Sequence, residues 1–122
     1  MSEHDEQAAL IRWARTRYTE WPELAGLFAI PNGGKRTGKT GGMLKEEGVS
    51  AGVPDLFLPV ARGPYHGLFG EMKFDKGRLR PTQKQWLAFL EAQGYKTGVW
   101  YSWLEGARAI CDYLGIFDEA LQ

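Results

Sequence analysis

Asp55 and the triplet Glu71-Met72-Lys73, with fifteen residues between them, are the side chains of this sequence best suited to chemistry. If both segments are extended, side chains alternate, so Glu71 and Lys73 share one face while Met72 turns to the other. Two charges beside the apolar Leu68, Phe69 and Phe74 are costly to bury unless something compensates them. An Asp opening the neighbouring strand does so. Asp55 and Glu71 can jointly hold a hard divalent cation, with the Met72 backbone carbonyl as a third protein ligand. Mg²⁺ held there polarises a phosphodiester oxygen and lowers the pKa of a bound water. Lys73 can then orient the attacking water, stabilise the developing negative charge, or lose its proton if desolvated. The alternative is a strand-face salt bridge among the three, which leaves Glu71 and Lys73 beside a third charge with no gain.

The elements that must position these residues follow from punctuation and periodicity. A first helix is expected from about Glu3 to Tyr18, with Ser2 and Asp5 as capping pair and Leu10, Trp13 and Ala14 as its apolar stripe. Leu27 to Ile30 reads as a strand closed by the turn Pro31-Asn32-Gly33-Gly34. Gly33 to Gly42 holds five glycines and three basic residues and reads as a loop, followed by a short helix from about Gly42 to Glu47 that ends at Gly48. Asp55 to Leu58 and Gly67 to Phe74 read as consecutive strands, hence an antiparallel pair. A helix begins at Pro81 and ends before Gly94, with Trp86, Leu87 and Leu90 inward. Thr97 to Tyr101 is a further strand. Ser102-Trp103-Leu104-Glu105 is a capping box that opens a last helix, with Ala107, Ile110, Cys111 and Leu114 inward and Gly115 as its stop. The order α-β-α-β-β-α-β-α implies an α/β fold with a mixed central β-sheet flanked by helices.

Bulk properties narrow the class. At 122 residues the chain has room for one domain, expected to span residues 1–122, and its 43% hydrophobic content suffices for a packed core. No run approaches the roughly 20 apolar residues of a membrane span. Ser2 to Gln7 is polar and acidic, unlike a signal peptide. The single Cys111 excludes a disulfide framework or thiolate zinc site within one chain. A reduced compartment is expected: the cytoplasm of a bacterium or phage-infected host cell, or a nucleus. Fifteen basic and fifteen acidic residues cancel, yet they are segregated. Leu24 to Lys45 contains no acid, and from Lys73 to Lys84 five basic residues face only Asp75. That pattern suits one positive face for phosphates, although solvated loops produce it too.

The Pro54-Asp55…Glu71-x-Lys73 pattern resembles the PD-(D/E)xK nuclease superfamily, and more narrowly its VRR-NUC family. The supporting motifs are Pro31-Asn32-Gly33-Gly34, Leu44-Lys45-x-x-Gly48, Gly52-Val53-Pro54-Asp55-Leu56 and Gly67-Leu68-Phe69-Gly70-Glu71-Met72-Lys73. Gln83 with Trp86-Leu87, Gly94-Tyr95 and a closing capped helix complete the series, so the resemblance spans roughly Glu6 to Leu114. It implies a restriction-endonuclease-like core, Mg²⁺ or Mn²⁺ dependence and cleavage of DNA. Stand-alone members of the family resemble Holliday junction resolvases and tend to act as homodimers on branched or four-way DNA. The rival readings are a branched-DNA-binding module that does not cut, and the nuclease subunit of a larger replication or repair complex. Carboxylates beside phosphate argue against the first, since binding alone gains nothing from their repulsion.

The resemblance also gives a role to neighbouring residues. Glu6 faces the side of the buried stripe and is the candidate for the carboxylate that the superfamily often supplies from its first helix; a surface Glu favoured by the helix dipole is the plainer reading. Gln83, three and seven residues before Trp86 and Leu90, should face inward near the active site, or make a structural hydrogen bond there. Asn32 could contact phosphate or simply form its turn. Lys35, Arg36, Lys39, Lys76, Arg78 and Arg80 are the expected phosphate contacts. His4 and His66 suit a surface role, Cys111 suits the core, and Trp86, Trp100 and Trp103 are expected in the core more than as base-stacking platforms, although Trp103 at a helix start could be exposed.

Overall fold

The computed structural model describes residues 1–31 and 45–122. Helix α1 spans Glu3–Arg17, starting where the Ser2 hydroxyl accepts the Asp5 N–H. Glu3, Asp5 and Glu6 occupy its first turn and Arg15 and Arg17 its last, the arrangement its dipole favours. Leu10, Trp13 and Ala14 are buried as their spacing requires. The Trp13 indole donates to Asp118 Oδ2 at 2.9 Å and Arg17 Nε lies 3.2 Å from the same oxygen, which ties the C-terminal segment back to α1.

Four strands form one sheet in the order β1-β2-β3-β4. They are β1 (Phe28–Ala29), β2 (Leu56–Leu58), β3 (Leu68–Met72) and β4 (Lys96–Trp100). β2 runs antiparallel to both β1 and β3, as expected for consecutive strands, and β3 runs parallel to β4. A parallel pair needs a crossover, and helix α2 (Pro81–Ala92) makes it. Helix α3 (Trp103–Leu114) opens on Ser102, whose hydroxyl accepts the Glu105 N–H, and closes at Gly115 with φ 72°. The sheet is therefore mixed and flanked by helices, with boundaries within a few residues of those read from the sequence. Of the expected helix from Gly42 to Glu47, only Lys45 and Glu46 are helical among the described residues, and Gly48 follows at φ 97°.

Strand alternation sorts the residues of the sheet. Leu56, Leu58, Leu68, Met72 and Trp100 join Leu10, Ala14, Ala107 and Ile110 in a core shared with α1 and α3. Phe57 and Phe69, one position out of phase, stack at 4.2 Å on the opposite face, the one that carries Glu71. One aromatic departs from expectation. Trp86 is only half-buried, because the inward positions of α2 belong to Gln83, Leu87 and Leu90.

A close approach locks β3 to β4. The Trp100 indole lies across Gly70, where a Cβ would sit 2.1 Å from its Cζ3, and across Gly98, where one would sit 2.5 Å from its Nε1. Gly70→Ala must therefore displace the indole from the core. The expected cost is about 1–3 kcal/mol in urea unfolding; a change below about 0.5 kcal/mol, as at an indifferent surface position, contradicts this packing.

Candidate active site

Pairing along β3 dictates where each group points. Residues 67 and 73 bond to β4, through Lys96 N–H to the Gly67 carbonyl and Lys73 N–H to the Trp100 carbonyl, each at 2.9 Å. Residues of the other parity therefore aim their N–H and C=O toward β2. β2 begins only at Leu56, so the Met72 N–H meets a side chain instead: it donates to Asp55 Oδ2 at 2.7 Å. That bond fixes the Asp55 carboxylate against β3 from the strand mouth. By the same parity the Met72 carbonyl faces the Asp55 side, where the sequence pattern would have it.

Glu71 and Lys73 project from the other face and are 2% and 5% exposed. Gln83, in the first turn of α2, is buried against Glu71. Its Oε1 accepts the Arg80 N–H at 2.8 Å and its Nε2 donates to Glu71 Oε2 at 3.2 Å. The backbone bond sets the amide's orientation, so its donor end is the one that meets the carboxylate. The same residue caps α2 and holds Glu71.

The second oxygen of Glu71 is the anomaly. Oε1 is buried, and it is the one buried side-chain polar atom without a hydrogen-bond partner among the described residues. When the carboxyl is ionised, such an atom carries its full desolvation penalty. Burial, then the charge of Asp55, then hydrogen bonding with Asp55 push the Glu71 carboxyl from 4.5 up to about 9; Lys73 pulls it down and Glu3 adds to the rise. Two abutting carboxylates, one with an orphaned oxygen, and a carbonyl on the same side form a donor set for a hard cation. Among the described residues no group of three or more His, Cys, Asp and Glu side chains gathers for a metal. The set therefore fits an ion that keeps several waters, as Mg²⁺ does, and not an all-protein cage.

Other sequence-derived candidates take different places. Glu6 is buried on the expected face, but its Oε1 accepts the Trp103 N–H at 2.7 Å, at the amino end of α3. Its carboxylate there satisfies a helix N–H and complements the dipole. Glu3, not singled out from the sequence, is the acid of α1 whose charge reaches Glu71. The available signal was its place three residues before Glu6, on the same helix face. Lys76, Arg78 and Arg80 are exposed on the segment from Lys73 to α2, which turns back sharply at Asp75, φ 55°. Asn32, Lys35, Arg36 and Lys39 lie outside the described residues. His66 is exposed and Cys111 and Trp100 are buried, in line with expectation, while Trp103 is half-buried at the start of α3.

The raised Glu71 pKa has a consequence for stability. Without divalent cation the folded chain binds more protons than the unfolded one between pH 4.5 and about 9. Its stability is then greatest below that window and falls across it as pH rises. In EDTA, Glu71→Gln is expected to melt several degrees higher than the parent at pH 8, with the gap closing toward pH 5. A variant no more stable than its parent at pH 8 contradicts the burial of an uncompensated carboxylate.

With this geometry in place, comparison with known proteins is informative. A family model described as the VRR-NUC domain matches residues 1–103. A solved structure titled "VRR_NUC domain protein" is similar at TM-score 0.78 and 28% identity, covering 97% of this chain and 92% of that one. No curated protein matches the chain.

Proposed function

The chain belongs to the VRR-NUC domain family, a family of nuclease type, and we propose from its site that it is a metal-dependent DNA endonuclease. The observation that carries this reading is the buried Oε1 of Glu71, which meets no donor and lies beside Asp55. An orphaned carboxylate in that position is costly as structure and useful as a ligand. Asp55, Glu71 and the Met72 carbonyl would hold Mg²⁺ or Mn²⁺. When bound, such an ion activates water and polarises a phosphodiester oxygen.

The chain's own residues divide the remaining work. Met72 N–H and Gln83 Nε2 hold the two carboxylates in fixed directions, so no reorganisation is needed as charge develops. Lys73, buried on the strand face of Glu71, presents an ammonium to the attacking water or to the phosphate oxygens. Its charge is worth more there than in solvent. In the hydrolysis, the water oxygen bonds to phosphorus while the bond to the leaving sugar oxygen breaks, and that oxygen departs protonated. Lys76, Arg78 and Arg80, beside the site, would hold phosphates of the substrate, joined by Lys35, Arg36 and Lys39.

Three finer features belong to the same proposal and draw on family resemblance: one nuclease domain over the whole chain, preference for branched or four-way DNA, and action as a homodimer. Two copies related by a two-fold axis present two sites to two strands, as symmetric cutting of a Holliday junction requires.

Labelled four-way junction, splayed-arm and linear duplex DNA, incubated with Mg²⁺, Mn²⁺ or EDTA, test the reading. Cleavage should need the metal, favour the junction, and fall about 10²- to 10⁴-fold in Lys73→Ala with its circular dichroism unchanged. Junction binding with no cutting in either metal at any protein concentration contradicts it.

A further inference from the structure

Helix α2 presents a second face that the hydrolytic site does not use. Trp86 and Phe89 stand there edge to face, ring centroids 5.7 Å apart, and Phe89 is 54% exposed. With Ala51, Thr82 and Gln85 they line an open groove of about 300 Å³. The pair leaves aromatic surface outside the core and open to a partner.

The groove is built into the supports of the site. Ala51 lies on the loop that delivers Asp55. Gly52 packs this loop onto α2 so closely, at φ 91°, that a Cβ would stand 2.8 Å from the Thr82 backbone. The other wall is the helix whose Gln83 holds Glu71. Charge then selects the partner. Lys76, Arg78 and Arg80 are exposed on the segment that leads into the helix whose first turn, at Thr82, lines the groove. A second copy of the chain is a poor occupant, because a two-fold contact here would set these cations against their own copies. A nucleic-acid strand answers both features, its phosphates to the cations of the segment preceding the helix and a base face to the aromatic rings.

We infer that Trp86 and Phe89 form a stacking shelf for an unpaired base of the DNA bound at the neighbouring site, an inference that rests on the endonuclease reading. In a linear duplex every base is paired and stacked. At a junction or splayed arm the branch nucleotides can be turned out at small cost. The shelf thereby gives this face a physical means of preferring branched DNA.

The test measures binding by the full chain in EDTA. The probes are a splayed-arm DNA with 2-aminopurine at its first unpaired position and the matched linear duplex. Wild type should perturb the 2-aminopurine fluorescence. Phe89→Ala, at an exposed position, should weaken splayed-arm binding by about 5- to 100-fold and leave duplex binding unchanged. Phe89→Trp should retain the selectivity. Equal weakening of both DNAs, or of neither, overturns the shelf. Conversion of a dimer to a monomer by Phe89→Ala, with DNA binding intact, also overturns it and assigns the face to a second copy. Shelf-dependent binding by a wild type that cuts nothing in Mg²⁺ counts against the endonuclease reading and leaves the shelf standing.

Discussion

Burying a carboxylate at the end of a central strand is the constraint on which the rest of this structure depends. Glu71 is 2% exposed, and one of its oxygens has a protein donor while the other has none. A globular fold selected for stability alone would place an apolar residue there, as it does one position on with Met72. What surrounds Glu71 is best understood as support for that exception. The Trp100 indole locks β3 to β4 across two glycines, Gln83 reaches from the start of α2, and Asp55 is held at the mouth of the strand by the Met72 N–H.

These supports are economical because each element does two things at once. The crossover helix joins two parallel strands and brings Gln83 to Glu71. The early end of β2 terminates a ladder and leaves the Met72 N–H for Asp55. Neutral overall charge conceals a local division of labour. Asp55 and Glu71 meet at the mouth of the strand, while the cations from Lys76 to Lys84 are exposed to solvent. The proposed chemistry needs both signs within a short distance, and only the interior carboxylates require a bound cation to be stable in their charged form.

Much of this arrangement was legible in the sequence because it is local. Alternation around Met72 separated the Glu71 face from the core, Pro81 and Ser102 marked helix starts, and Gly115 marked a stop, all through interactions spanning a few residues. Gln83 was read as inward from its spacing. Its capping of α2 follows from its place in the first turn after Pro81. Long-range partnerships were not legible. Glu6 faces inward as expected, but its partner is the N–H of a residue 97 positions away, and no spacing rule reports that. Trp86 satisfies a helical stripe as well as Leu87 does. Only the tertiary position of Ala51 and Thr82 decides that it lines a groove instead of filling the core. The Trp100 indole resting on Gly70 is equally a property of two paired strands and not of either sequence segment.

Direct titration of Mn²⁺ into the DNA-free protein, followed by electron paramagnetic resonance, tests the central claim: the Asp55–Glu71 pair is a cation site. The account predicts saturable binding of one or two ions per chain, abolished by Asp55→Asn and by Glu71→Gln, with Mg²⁺ competing for the site. Binding that survives both substitutions, or no binding by wild type at millimolar Mn²⁺, would contradict it.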